Sequence, residues 1–194
     1  MVKKIPLIII LAGLLIIGVA AWQMINVKVQ TNTALKEAKE IVAMGNQEDS
    51  SSESPTSTEK KPPKFGDTVG LLTIPRLKSE LPIVEGTDPN DLNKGVGHYA
   101  GSYFPGENGQ IVLSGHRDTV FRRLGELEKG DTFEMQLANG SFTYEISHTK
   151  IVESDDTSII TLQNEEEELI VTTCYPFNVI GDSPQRYIIY AKPI

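Results

Sequence analysis

The sequence predicts an all-β domain, either a barrel or a sandwich, that follows a membrane-spanning helix. A long uncharged apolar run lies near the N-terminus, and residues 65–194 consist mainly of short apolar or alternating segments separated by turn residues. Many short strands with few helices are typical of all-β barrels and sandwiches. The chain therefore divides into a cytoplasmic stub and membrane anchor (1–27), a helical stalk with a flexible linker (28–64) and a folded domain (65–194).

The apolar run has the length of a helix that crosses a bilayer. No charged residue occurs between Lys4 and Lys28, and residues 7–21 are all Ile, Leu, Val, Ala or Gly. About 20 apolar residues span a membrane. Lysines precede the run and Trp22 falls at its outer end, so we expect a single-pass protein with a cytoplasmic N-terminus and an extracellular domain. A cleaved signal peptide is the alternative, and the apolar character beyond residue 21 favours an uncleaved anchor.

The segment between anchor and domain has two parts. Residues 31–47 carry a modest helical pattern, and this helix either packs on the domain or stands off the membrane. Residues 48–63 are rich in Ser, Thr, Pro and charge, which is typical of a flexible linker. We therefore expect a domain that is tethered but mobile.

The charge balance and the cysteine count limit the function. The net charge is −8, and nucleic acid is not an expected partner because its phosphates require a basic surface. The single cysteine, Cys174, forms no internal disulfide, and an unpaired thiol in an exported protein indicates reactivity. The alternative is a buried cysteine that acts as a small hydrophobic residue.

The first half of the domain predicts two strands and a short helix. Residues 71–74 form an apolar strand that ends at Pro75. Residues 88–92 predict a short helix with Asp88 as its cap and Pro89 at the first helical position. Residues 110–113 predict a second strand that runs directly into Ser114, Gly115 and His116.

The second half predicts a helix, a hairpin and two more strands. Apolar residues at helical spacing predict a capped helix of about ten residues that ends at Gly130: Val120, Phe121, Leu124 and Leu127. Alternating apolar residues within 133–137 and 142–146 flank Asn139-Gly140, a favoured hairpin turn. Residues 169–174 and 185–191 predict the last two strands.

Three residues at the ends of these strands are candidates for catalysis. Cys174 ends an apolar β-branched strand, at a sheet edge that a substrate can reach. His116 follows a strand and a glycine, where an imidazole can act as an acid or base, with a surface turn histidine as the alternative. Arg186 shares a strand face with Ile188 and Tyr190, which indicates either a structural ion pair or a donor to an oxyanion beside the thiol.

Other histidines and acidic residues have weaker signals. His98 lies in a glycine-rich loop that is expected to line the cleft, whereas His148 is in phase with a packed strand face. No two histidines have zinc-ligand spacing, so a zinc site is not predicted, and no cofactor is expected. The acidic stretch around Asp155, Asp156 and Glu165 is either a solvated loop or a weak calcium site.

Six segments together resemble the sortases, the cysteine transpeptidases of Gram-positive bacteria. Three carry the candidate chemistry: Gly115-His-Arg-Asp-Thr119, Thr173-Cys-Tyr-Pro-Phe177 and Pro184-Gln-Arg-Tyr187. The other three are Gly70-Leu-Leu-Thr-Ile-Pro75, Leu81-Pro-Ile-Val84 and Gly95-Val-Gly-His-Tyr99. The resemblance covers residues from about 66 to 194. It implies a closed eight-stranded β-barrel as the catalytic domain.

The resemblance also implies roles for individual residues. Cys174 would be the nucleophile, His116 its acid–base partner and Arg186 the group that steadies the substrate oxygen. Thr173 and Tyr175, which flank the thiol, would line the substrate groove together with His98. Of the family pattern Thr-Leu-x-Thr-Cys, only the last threonine is present, so the groove is expected to differ in detail.

The implied reaction cleaves an LPxTG-like sorting signal of a surface protein at its threonine carbonyl and transfers the acyl group to a cell-wall peptide amine. The chain has no obvious lid motif and ends straight after its last strand, which resembles class D. A hydrolytic thiol protease and a non-catalytic, tethered cell-wall-binding module are the alternatives.

Overall fold

Eight strands close into a barrel within the residues that the structure, a computed structural model, describes: 5–48, 62–179 and 181–194. Their order around the barrel is β1-β2-β3-β4-β7-β8-β6-β5. The bounds are β1 Thr68–Ile74, β2 Ser79–Glu85, β3 Val96–His98, β4 Gln110–Gly115, β5 Thr132–Leu137, β6 Gly140–Glu153, β7 Glu168–Tyr175 and β8 Gln185–Pro193. The closed barrel confirms the fold class that the sequence predicts and decides against a sandwich.

Two parallel pairings interrupt an otherwise antiparallel barrel. β2 pairs with β3 and β4 pairs with β7 in parallel, and the remaining neighbours are antiparallel. Short 3-10 helices cover Pro75–Leu77 and Leu124–Glu126, and helix α2 covers Pro89–Leu92. Because parallel strands end at the same edge of a sheet, the β4–β7 pair brings two distant parts of the chain to one rim.

The barrel interior is filled by alternate residues of each strand. In β5, Phe133, Met135 and Leu137 are buried and their neighbours are partly exposed, as the pleat of a strand requires. Leu169 and Val171 of β7 belong to the same interior cluster. The burial of these side chains provides the main stabilisation of a domain that has no disulfide.

A second, smaller apolar cluster covers part of the outer surface of the barrel. Ile170 of β7 and Ile188 of β8 pack there against Val112, Val152 and Ile159. Since side chains alternate between the two faces of a strand, this cluster identifies which residues of β4, β7 and β8 point outward.

The prediction of a helix between Asp118 and Gly130 is wrong. The segment forms consecutive turns and the 3-10 helix Leu124–Glu126. Its bonds span three residues, as in Leu124 N to Phe121 O at 3.1 Å and Leu127 N to Leu124 O at 3.2 Å. Phe121 and Leu124 are fully buried in the interior cluster, so the apolar spacing reflects packing of the turns onto the barrel.

The packed position predicted for His148 is also wrong. The register of β6 against β8 shifts between Ile146 and His148, which is a β-bulge. The extra residue breaks the alternation. As a result His148 is exposed and stacks on Tyr190, with ring centroids 4.4 Å apart.

Helix α1, Ile5–Glu48, is continuous from the apolar run into the stalk. Its first half is long and apolar enough to cross a membrane, and side chains such as Leu15 are exposed. Its second half packs on the barrel, where Ala38 is fully buried. The stalk helix thus takes the first of the two arrangements that the sequence left open. Residues 49–61, most of the predicted linker, lie outside the described residues.

Candidate active site

The thiol of Cys174 lies on the outer face of the barrel, one residue before the end of β7. It follows Ile170 by four residues, and Ile170 belongs to the outer cluster. The alternation of β7 therefore turns Cys174 outward as well. Cys174 is free and partly exposed, so the thiol is accessible to a substrate. This position differs from that of a cysteine buried as a small hydrophobic residue.

Arg186 lies directly opposite Cys174 on the neighbouring strand. The two residues pair in the antiparallel register of β7 and β8, so their side chains share a face. Among the described residues, the guanidinium donates hydrogen bonds only through Nη1, to the carbonyl oxygens of Ser183 at 2.9 Å and Gln185 at 3.0 Å. Its other N–H groups remain for an oxygen of a substrate.

His116 lies level with Cys174 along the barrel, on the β4 side of β7, whereas Arg186 lies on the β8 side. Gly115, the last residue of β4, pairs with Thr173 in the parallel register, so the next residue along each strand is His116 and Cys174. The buried Thr173 Oγ1 donates a hydrogen bond to the Gly115 carbonyl at 2.7 Å and ties the two strands together at this point. Val112 is on the outer face, and the alternation of β4 continues outward to His116.

Thr173 and Tyr175, which were predicted to line the groove, lie on the opposite face of β7 from the thiol of Cys174. Thr173 is 2% exposed and uses its hydroxyl to hold β4. Tyr175 faces Tyr187 and Phe177, with ring centroids 6.2 Å and 5.6 Å away, in an aromatic cluster at the end of the barrel. Both side chains therefore support the strand ends from within.

His98 is 1% exposed and belongs to a buried polar network. Its Nδ1 lies 2.7 Å from the Glu85 carboxylate, and its Nε2 lies 3.0 Å from Ser102 Oγ and 3.1 Å from the Tyr103 carbonyl oxygen. The ring also stacks on Phe104. With both ring nitrogens occupied and the ring enclosed, His98 holds the strand β3 and does not reach the open rim in this conformation.

The acidic stretch after β6 is not arranged as a metal site. Within the described parts of the chain, no group of three or more His, Cys, Asp or Glu residues is placed to hold a metal ion. The Asp156 carboxylate accepts hydrogen bonds from the backbone N–H and hydroxyl of Ser158. These bonds, with the hydroxyl contribution the larger, lower the pKa of Asp156.

Arg117 is a residue of this rim that sequence reasoning did not identify. Its side chain is 5% exposed, although it follows His116 directly. The guanidinium donates to the carbonyl oxygens of Pro176 at 2.7 Å, Val179 at 2.7 Å and Gly181 at 3.0 Å. These carbonyls belong to the loop that joins the strand of Cys174 to that of Arg186. The sequence offers no clear signal for it, since Arg117 follows the end of β4 and stands between His116 and Asp118, as a solvated turn residue would.

Three adjacent strands, β4, β7 and β8, thus carry an imidazole, a thiol and a guanidinium at one rim of a closed barrel. A thiol with an acid–base group and an oxyanion donor can transfer acyl groups through a covalent intermediate. Together with the barrel, these three groups indicate a cysteine enzyme of the acyl-transfer class.

The sortase-domain family model matches residues 72–194. The chain therefore belongs to the sortase family, and the resemblance seen in its motifs is confirmed.

Two groups of relatives agree with this assignment. The chain is 58% identical to Sortase D of Bacillus subtilis (strain 168) over 198 residues, with 100% of both chains covered, and the name of this relative agrees with the class D resemblance. Among solved structures, it is similar to the Clostridium perfringens Sortase D5 transpeptidase at 27% identity and a TM-score of 0.71, over 86% of this chain and 99% of that one. A C. perfringens sortase C with the C-terminal cell wall sorting motif shares the fold, at 23% identity and a TM-score of 0.62, over 87% and 89% of the two chains.

Proposed function

We propose that this sortase is anchored in the cell membrane by α1, with its N-terminus in the cytoplasm and its barrel outside. There it cleaves an LPxTG-like sorting signal at the threonine carbonyl and transfers the acyl group to an amine of a cell-wall peptide. The observation that carries the proposal is the pairing of Cys174 with Arg186 beside the bonded Thr173–Gly115 pair. This register supports the proposal, because a thiol, a facing guanidinium and the imidazole that follows Gly115 are the groups that two acyl-transfer steps require.

The proposed chemistry has two acyl-transfer steps. The Cys174 thiolate attacks the threonine carbonyl, and the C–N bond breaks as a thioester forms. His116 gives a proton to the departing amine. The incoming amine then attacks the thioester and loses a proton to His116, and the C–S bond breaks to release the Cys174 thiolate. In both steps Arg186 donates hydrogen bonds to the carbonyl oxygen as it gains negative charge.

A labelled LPxTG-type peptide, assayed with and without an added amine acceptor, tests this proposal. Cys174→Ala should reduce cleavage to background, and His116→Ala should reduce it on the order of 10²- to 10⁴-fold. Arg186→Ala should cost on the order of 10²- to 10³-fold in kcat. Cleavage by Cys174→Ala at the rate of the unmodified enzyme would refute the proposal.

His148→Ala is a matched control for His116→Ala, because His148 is exposed on β6, where its ring stacks on Tyr190 and its Nδ1 lies 3.0 Å from Ser147 Oγ. It should leave turnover unchanged. Product analysis separates transpeptidation from the alternative thiol protease. The transpeptidase joins the acyl fragment to the added amine, whereas a protease yields the free acid at the same rate without it.

A further inference from the structure

Small residues allow the stalk half of α1 to lie close against the barrel. Ala34 and Ala38, one helical turn apart, are 3% and 0% exposed. A Cβ at Gly45 would lie 2.5 Å from the carbonyl oxygen of Ala138, in the turn between β5 and β6. A larger side chain at any of these three positions would push the helix away from the barrel. The contact runs from about residue 31 to residue 45, about 21 Å of helix.

Polar side chains add specific contacts along the same face. They join the helix to the loop after α2, to the first residue of β1 and to the beginning of β2. The contacts are Thr31 Oγ1 to Asn93 O at 3.0 Å, Thr68 Oγ1 to Glu37 Oε2 at 2.8 Å, and the ion pair of Lys39 with Glu80. The docking therefore has a defined register along the helix.

The direction of the helix places the catalytic rim nearest the membrane. A groove of about 670 Å³ lies between α1, at Met24 and Val27, and the turn that follows His116, at Asp118 and Val120. This part of α1 is where the uncharged run ends and the first charged residue, Lys28, appears. The opposite end of the contact, Gly45 at the β5–β6 turn, is about 25 Å further along the helix from Lys28.

The order of segments along the chain strengthens this placement. The anchor is followed first by the docked part of α1, and only then by the stretch predicted as a linker, residues 48–63. That linker therefore does not lie between the membrane and the first contact with the barrel. Its length does not set the height of the active site, because the helix has already bound the barrel.

We propose that α1 is a rigid strut that holds the His116 rim of the barrel at a fixed, short distance above the membrane. The enzyme then selects sorting signals that their own polypeptides present close to the bilayer surface. This inference rests on the proposed function and names the substrate class of the same site. A docked enzyme and a membrane-held substrate meet at a high effective concentration only if the spacing matches.

Zero-length crosslinking tests the docking without any assay of activity. A carbodiimide should join the Lys39 amine to the Glu80 carboxylate in the full chain in nanodiscs, and peptide mass spectrometry identifies the product. Ala38→Arg places a charge in the buried contact and should abolish the crosslink. Ala43→Arg makes the same change on an exposed position of the helix and should leave it intact. Absence of the crosslink in the unmodified chain would overturn the strut.

Substrates with spacers of different length test the selection. LPxTG-type peptides are attached to lipid in the same nanodiscs through Gly/Ser spacers of about 6 or about 60 residues, which reach about 13 Å or about 43 Å. The unmodified enzyme should cleave the short-spacer substrate faster, on the order of tenfold. Ala38→Arg should lose this preference yet cleave free peptide normally, and Ala43→Arg should behave as the unmodified enzyme.

The outcomes separate the two proposals. Equal cleavage of both lipid-held substrates by the unmodified enzyme would overturn the strut but not the sortase reaction. Failure to cleave any peptide, free or held, would overturn the proposed function, and the crosslink would still decide the docking. If Ala38→Arg does not fold, as loss of free-peptide cleavage would indicate, Lys39→Glu replaces it in the spacer test alone, because this change removes the amine that the crosslink needs. It sets two carboxylates against each other at the same contact and should reduce the preference for the short spacer.

Discussion

Arg117→Met removes the side chain that holds the loop between the two catalytic strands. Met keeps much of the apolar stem of Arg117 and lacks its donors, so the variant isolates the hydrogen bonds. Three carbonyl oxygens, those of Pro176, Val179 and Gly181, lose their shared donor. The loop then has fewer bonds that fix the start of β8 relative to the end of β7.

The magnitude follows from the geometry of those bonds. Hydrogen bonds to a charged group contribute about 1.5–3 kcal/mol each, but they are not additive when they share one donor. Gly181 and Val179 lie in exposed positions where water can replace the guanidinium. We therefore expect a loss of about 2–3 kcal/mol in the free energy of unfolding. For a domain of this size the melting temperature should fall by about 8–12 °C.

Activity should fall further than stability alone explains. A shift of about 1 Å in the loop would displace Arg186 from the thiol, and misplacement of that size costs on the order of 10²-fold in kcat/KM. The assay is peptide cleavage at a temperature where both proteins remain folded by circular dichroism. Alkylation of Cys174 by a small reagent, measured in parallel, should change little, because Arg117 acts on the position of Arg186.

Two further variants serve as controls for Arg117→Met. Arg117→Lys retains a cation with three donors on one nitrogen, which cannot span the three carbonyls as the guanidinium does, and it should lose less activity than Arg117→Met. Arg123→Met, on the exposed Arg123 that pairs with Glu126, should be near neutral. A kcat/KM for Arg117→Met within about threefold of the unmodified enzyme under these conditions would show that the loop does not depend on this guanidinium.

Three other substitutions probe the rim and the barrel. Gly115→Ala places a Cβ 2.5 Å from a ring carbon of Phe121. It should destabilise the fold by about 1–3 kcal/mol in chemical denaturation, and adding Phe121→Leu should restore part of the loss. Thr173→Val leaves the Gly115 carbonyl without its donor, so the melting temperature and kcat/KM should both fall, with a stability cost of about 1–2 kcal/mol; unchanged values in both would count against the bond. Burial, and then the hydrogen bond to Glu167, raise the pKa of Tyr144. Its stabilising contribution is therefore complete below the unfolded pKa near 10 and declines as the pH rises above it, and Tyr144→Phe should flatten the loss of thermal stability above about pH 10.

Strands could be predicted from the sequence where apolar and polar residues alternate or where a short apolar, β-branched run occurs, because both patterns are typical of a strand. The hairpin around Asn139-Gly140 appears as β5 and β6, and residues 169–174 and 185–191 lie within β7 and β8. Cys174 and Arg186 could be proposed for the same reason, since each interrupts an apolar strand with a reactive or charged group. Their mutual register depends on strand pairing, which the local sequence does not determine.

The departures occurred where tertiary packing overrides local spacing. Phe121 and Leu124 have helical spacing, yet each enters the barrel interior from a separate turn. The bulge before His148 moves that ring to the surface, and no residue type at the bulge predicts it. β2 contains Pro82 and β3 is three residues long, so neither produces a recognisable strand pattern on its own.

Long-range polar contacts were also outside the reach of sequence patterns. Arg117 is separated from its nearest carbonyl partner by 59 residues, and the network of His98 joins β3 to Glu85 of β2 and to Ser102. The helical pattern of residues 31–47 predicted the stalk but not its partner surface. Small residues such as Ala34 and Ala38 are compatible with both exposure and close packing.

The parallel pairing of β4 and β7 has a consequence for how this enzyme can diversify. Both strands leave the sheet at one rim, so the segments 117–131 and 176–179 begin directly after His116 and Tyr175 and do not contribute to the ladder of the barrel. Such connections can change in length and composition while the scaffold keeps the reactive groups in place. New peptide preferences can thus arise from changes at exposed positions of these segments, while Phe121 and Leu124 keep filling the interior and Arg117 keeps its carbonyl partners.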